Sequence, residues 1–130
     1  MLVEIDLPVH TYDVDFMGIV NNTVHVKWFE DLRMAIMDRY IPLTDCLKRQ
    51  QSPILAETHV QYRKPVTLES KPRGRAWMAM LDRSKWTIQF EIFEGERMYA
   101  TGEQTGYYFD IAAGRPTRWP EELVTMWQQM

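Results

Sequence analysis

Val3, Ile5, Leu7 and Val9 alternate with Glu4, Asp6 and Pro8, the period of two that belongs to a strand with one covered face. From Thr23 to Tyr40 the period changes, and Val24, Trp28, Leu32, Ala35 and Ile36 return every three or four residues. Glu30, Asp31, Arg33, Asp38 and Arg39 fall on the opposite side. This predicts one long amphipathic helix that stops near Pro42. Between strand and helix, Asp13, Asp15, Gly18, Asn21 and Asn22 crowd together, which mixes turn formers with residues that cap helix N-termini.

After a polar connection from Lys48 to Ser52, Ile54, Ala56, Thr58, Val60 and Tyr62 share one parity, and Leu55, Glu57, His59, Gln61 and Arg63 the other. This is a second strand. Gly74 to Leu81 is apolar on both parities beyond Arg75, the expectation for a strand covered on both faces. Trp86, Ile88, Phe90 and Ile92 alternate with Thr87, Gln89, Glu91 and Phe93 behind a polar Asp82-Arg83-Ser84 turn, so these two strands form a hairpin. A turn at Glu94-Gly95-Glu96 leads into a strand from Arg97 to Asp110, where Gly102 and Gly106 permit bends or bulges. Gly114-Arg115-Pro116, then Trp119-Pro120-Glu121-Glu122, predict a turn and a short helix.

The order predicts an α+β domain over residues 1–130, with one antiparallel sheet of about five strands wrapped around one helix. Such a sheet leaves its edges and outer face open. Together with the two-sided strand around Trp77 to Leu81, this predicts a homodimer or a homotetramer.

At 130 residues, with 45% hydrophobic and 25% charged positions, the chain has the apolar content to fold and is not a disordered tail. A net charge of -3 supplies no broad basic field, so nucleic acid is not an expected partner. No apolar run approaches the ~20 residues that cross a bilayer, and Glu4 and Asp6 stand where a basic leader would. Neither membrane insertion nor export is expected. The single cysteine, Cys46, forms no internal disulfide, and the expected location is the reduced cytoplasm. His10, His25 and His59 lack the close spacing of a helical zinc motif, and neither a phosphate-cradling glycine loop nor a Gly-x-Ser-x-Gly elbow occurs. No metal or cofactor is expected.

The chemistry-bearing segment runs from Thr11 to Asn22. The first N–H groups of a helix lack internal acceptors and carry the positive end of its dipole, so they can polarise a carbonyl oxygen. A carboxylate folded back beside them supplies a nucleophile or base next to an electrophilic clamp. Taken alone, the loop favours a capping or turn role for Asp15.

In this segment the sequence resembles the hotdog-fold acyl-CoA thioesterases, in particular the 4-hydroxybenzoyl-CoA thioesterase-like group. The matching positions are Tyr12, Asp13, Asp15, Gly18, Ile19 and Val20, followed on the helix by Trp28, Phe29, Glu30 and Arg33. The likeness continues through Val60 to Val66 and through the Gly114-Arg115-Pro116 and Pro120-Glu121-Glu122 ending. It implies a hotdog fold, hydrolysis of acyl-CoA, Asp15 as the catalytic carboxylate, the Asn22 backbone N–H as oxyanion donor, and Gly18 as the residue that lets the loop approach closely. Asp13 matches the first acid of the loop and, with Arg63 and Lys64, is a candidate for substrate binding, the two cations at the phosphates of coenzyme A.

The Asn21-Asn22 pair also resembles plant-type acyl-carrier-protein thioesterases, whose extra polar loop residues are replaced here by Met17 and Ile19. Two mechanisms stay open, attack by Asp15 to give a mixed anhydride or activation of water by Asp15 as base. A hotdog domain that binds acyl-thioesters or partner proteins without turnover is the competing function. Hotdog dehydratases need a histidine beside the acid, and this loop has none next to Asp15.

Overall fold

The computed structural model describes residues 1–130. Strand β1 (Leu2–Asp6) is followed by a 3-10 turn at Thr11–Asp13, helix α1 (Asn22–Tyr40) and a short helix α2 (Leu43–Lys48). Strands β2 (Gln51–Tyr62), β3 (Arg73–Asp82), β4 (Lys85–Glu94) and β5 (Arg97–Asp110) follow, then a two-residue β6 (Arg115–Pro116) and helix α3 (Glu121–Gln128). All pairings are antiparallel, in the order β1-β3-β4-β5-β2, with β6 on β5. The sheet curls around α1, as the periodicities predict.

The core forms where the apolar face of α1 meets the inward parity of the sheet. Phe29 and Leu32 of α1 are fully enclosed, and the Phe29 ring stacks on Phe90 of β4 with centroids 4.4 Å apart. Gly102 lies opposite Phe90 across β4 and β5, and a Cβ there would run into the Phe29 ring. Gly102 and Gly106 therefore make room for aromatic rings, Trp86 in the second case. Gly102 sits in regular pairing, whereas Gly106 faces the β2 bulge, between the pairs Leu55–Gly106 and Glu57–Thr105, where a Cβ would also strike the Ile54 carbonyl. The bulges fall at Ala56 in β2, at Ala79 in β3 and at Tyr99 in β5.

Two further expectations are corrected. Strand β3 alternates between buried and half-buried or exposed positions, so within one chain it is covered on one face only, with Trp77 half-buried on the other. Arg33, placed by periodicity on the polar face of α1, turns inward, where its guanidinium donates to Gln104 Oε1. Gln104 is almost fully buried, and its amide nitrogen donates in turn to Thr58 Oγ1 at 3.2 Å. The pairing explains how these polar groups tolerate a dry position between helix and sheet.

Candidate active site

The two acids of the loop have different fates. Asp13 closes the 3-10 turn: its Oδ2 accepts the His10 N–H at 2.9 Å, and its carbonyl accepts the Asn21 N–H at 2.9 Å. It is 8% exposed and lines a separate cleft with Pro8, His10 and Tyr12. Asp13 thus holds the loop to the start of α1.

Asp15 sits in a miniature hairpin. Val14 bridges to Val20, the Asp15 N–H donates to the Ile19 carbonyl at 2.8 Å, and the Gly18 N–H donates to the Asp15 carbonyl at 3.0 Å. Asp15 Oδ1 accepts the N–H groups of Met17 at 2.8 Å and Ile19 at 3.1 Å, while Oδ2 takes no hydrogen bond and the carboxylate enters no ion pair. In one chain the side chain is exposed. Gly18 has φ +75° with open space around it, so its left-handed backbone, not a close approach, is what calls for glycine.

At the tip of α1, Asn21 is the N-cap. Its Oδ1 accepts the Thr23 N–H at 2.9 Å and its carbonyl accepts the Val24 N–H at 3.0 Å. The Asn22 N–H donates to no group of the protein, as the geometry of a first helical turn dictates. Asn22 lines a cleft of about 240 Å³. One wall is the helix tip, Asn22 and His25; a second is the loop exit, Ile19 and Val20; the third is the chain leaving β2, from Tyr62 to Val66. The walls are stitched together. The Val20 N–H donates to the Val66 carbonyl at 2.8 Å, Ile19 bridges to Thr67, and the Arg63 and Lys64 amides both donate to the Tyr99 carbonyl. Tyr62 adds a hydrogen bond from its hydroxyl to the Asn22 carbonyl at 3.0 Å.

Of the residues singled out in the sequence, Asn22, Arg63 and Lys64 come together in this cleft. Gly18 precedes its loop wall. Asp15 stands at the far end of the bridged loop and Asp13 in the neighbouring cleft, so neither is part of the lining. Sequence reasoning missed His25 and Tyr62. A spacing of three from Asn22 places His25 on the same helix face, which is the signal that was available.

His25 is 3% exposed, and neither ring nitrogen has a hydrogen-bond partner. Its ring meets Tyr62 edge-on at 4.9 Å and Trp28 at 5.3 Å. Burial pushes its pKa down from the usual histidine value, because an enclosed imidazolium loses its water shell. The Asn21 carbonyl acts in the opposite direction to a lesser extent, outside hydrogen-bond geometry. The same loss of water raises the Tyr62 pKa, which keeps its hydroxyl a donor.

Comparison with solved structures places this arrangement. A DHNA-CoA thioesterase from Staphylococcus aureus superposes with a TM-score of 0.84 at 18% identity, over 98% of this chain and 87% of that one. A 1,4-dihydroxy-2-naphthoyl-CoA thioesterase from Synechocystis gives 0.87 at 10% identity, over 100% and 98%. A hypothetical protein from Thermus thermophilus gives 0.87 at 18%, over 99% and 97%. At such identities the likeness shows the fold, which is the hotdog fold. No curated protein matches the chain. The model of the thioesterase-like superfamily matches residues 9–126, a span that takes in the acid-bearing loop, the helix tip and the cleft. With nearly its whole length matched, the chain belongs to the thioesterase-like superfamily, whose general activity is the hydrolysis of thioesters.

Proposed function

We propose that the protein hydrolyses acyl-CoA thioesters to the free acid and coenzyme A, with Asp15 as the reacting carboxylate and the Asn22 N–H as the oxyanion donor. The observation that carries this reading is the unpaired Asn22 N–H at the tip of α1, on a residue that lines one cleft together with Arg63 and Lys64. A thioester carbonyl placed against that amide gains charge as the tetrahedral species forms, and a fixed donor at a helix N-terminus stabilises that charge without rearranging. Arg63 and Lys64 offer cations to the phosphates of coenzyme A.

Asp15 supports the reading through its anchoring. With Oδ1 held by two loop amides, the carboxylate is oriented and Oδ2 stays available. Either Oδ2 adds to the carbonyl carbon, expelling the thiolate and leaving an anhydride that water opens, or it takes a proton from a water that adds to the same carbon, after which the tetrahedral species collapses, expels the thiolate and passes it that proton. A thioester is reactive enough for either route.

The exposure of Asp15 in a single chain favours an assembly in which a second copy covers the loop. We propose a homodimer built along β2, with a homotetramer as its further association. Strand β2 is an edge with one side unpaired, and Ile54, Leu55 and Tyr62 are exposed on it. On the acid-bearing loop, Phe16 is 99% and Met17 68% exposed, and apolar side chains so placed mark contact surfaces. The same exposure of Asp15 favours, as a second reading, a domain that binds acyl-thioesters without cleaving them.

Asp15→Asn separates the two. Asparagine keeps the Oδ1 acceptor for Met17 and Ile19 but removes the nucleophile or base, so turnover of a panel of acyl-CoAs falls at least about hundredfold. Unchanged turnover in the folded variant would rule out Asp15 as the reacting group, and binding without turnover in the wild type would establish the second reading.

A further inference from the structure

The imidazole of His25 is the least explained group in the molecule. It is enclosed, neither nitrogen makes a hydrogen bond although the Asn21 carbonyl lies near, and the residue lines the same cleft as Asn22. Nearly all buried polar atoms in folded proteins find a hydrogen bond, and one left without it is destabilising. Arg33, Gln104 and Thr58 obey that rule. His25 breaks it, and it does so in the lining of the cleft beside the helix tip.

We infer that His25 is a specificity-determining residue: it hydrogen-bonds an oxygen on the acyl portion of the substrate, and so selects acyl thioesters oxygenated near the carbonyl over purely hydrocarbon ones. This rests on the thioesterase reading above and deepens it.

Position supports the assignment. His25 lies three residues beyond Asn22, about 4.5 Å along the helix axis. A thioester whose carbonyl oxygen meets the exposed Asn22 amide directs its acyl group past the apolar Ile19, Val20 and Val66 to the buried imidazole. That rise matches the reach of a substituent two or three bonds from the carbonyl carbon. The small size of the cleft, about 240 Å³, suits a short acyl group. Chemistry supports it as well: held below its ordinary pKa by burial, the ring is uncharged near neutral pH, with one nitrogen donating and the other accepting. A hydroxyl answers both needs and a carbonyl oxygen the first.

Tyr62 is the cover. Its ring stands edge-on to His25 while its hydroxyl rests on the Asn22 carbonyl. Being 45% exposed, it has room to swing aside when the acyl group enters.

The test compares 3-hydroxybutyryl-CoA with butyryl-CoA, which differ by one hydroxyl. The wild type is expected to favour the hydroxylated thioester by at least about tenfold in kcat/KM, mostly through KM, because the hydrocarbon leaves the buried ring unpaired. His25→Phe keeps the aromatic packing against Tyr62 and Trp28 and brings the ratio close to one; His25→Gln, which still hydrogen-bonds, retains part of it. An identical ratio in the wild type and His25→Phe, with hydrolysis intact, would overturn the inference and leave the thioesterase reading standing. If the wild type hydrolyses neither of these two but does hydrolyse other members of the acyl-CoA panel without preferring oxygenated ones, this inference fails alone; if it hydrolyses no member of the panel, the thioesterase reading fails and takes this inference with it.

Binding supplies a readout independent of turnover. In Asp15→Asn, 3-hydroxybutyryl-CoA should shift the ring 15N resonances of His25 as well as the amide of Asn22. A shift at Asn22 alone would also overturn the inference.

Discussion

The middle of helix α1 and its first turn are built from the same chain to opposite standards. In the middle, Phe29 stacks on Phe90 above Gly102, Leu32 is fully enclosed, and the one cation drawn inward, Arg33, is answered by Gln104. At the first turn, the Asn22 N–H and both nitrogens of His25 have no partner, and the carboxylate of Asp15 has a free oxygen. Where the only task is to hold together, every group is matched. Unmatched groups gather at one end, which teaches that the fold is settled in the first region and chemistry is left to the second.

This contrast breaks if damage to the two regions has the same consequence. Phe29→Ala is expected to have the largest effect, a loss of about 3–5 kcal/mol in urea unfolding, since it empties the space between Phe90 and Gly102. Asp15→Asn comes next, with a fall in turnover of about hundredfold, near 2.7 kcal/mol of barrier. Its melting temperature should stay close to wild type; a large drop would show that the loop carboxylate is structural.

Asn21→Ala sits on the boundary between the regions. Losing the cap to Thr23 should lower stability by about 1 kcal/mol, and calorimetry together with an acyl-CoA assay should show stability and turnover falling together.

The smallest effect is pH-dependent. A folded His25 that resists protonation has a lower pKa than in the unfolded chain, so the unfolded state takes up protons first as pH drops. Stability contributed by the neutral ring is present above about pH 6.5 and is lost as pH falls toward the depressed folded value. His25→Phe should flatten that slope in a series of melting curves, and a slope equal to wild type would show that another group is responsible.

Much of the fold could be read before any coordinates. The alternation of Trp86, Ile88, Phe90 and Ile92, the three-and-four spacing on α1 and the turns at Arg83 and Gly95 give the hairpins and the central helix almost to the residue. The bulges at Ala56 and Ala79 could not be read, because one extra residue rephases a strand without altering its composition. Helix α2 is too short for a period to show, and Lys48 was assigned to a polar connection for that reason. In the site, the acid-bearing loop and the cap were visible as residue types. What separates Asp13 from Asp15 was not: a 3-10 turn buries one and a hairpin exposes the other. The sequence excludes His25 from a zinc motif but cannot mark it as a site residue, because sequence reveals which groups are polar but not which are left without partners.

One contact joins the edge of the sheet to the tip of the helix. Tyr62 ends β2, and its hydroxyl rests on the carbonyl of the residue whose N–H is the proposed oxyanion donor. Under the proposed pairing along β2, a second copy would act on the turn that carries the proposed oxyanion donor, and self-association and substrate binding would be thermodynamically linked. Diluting the protein should then lower the activity of each chain, not merely the total.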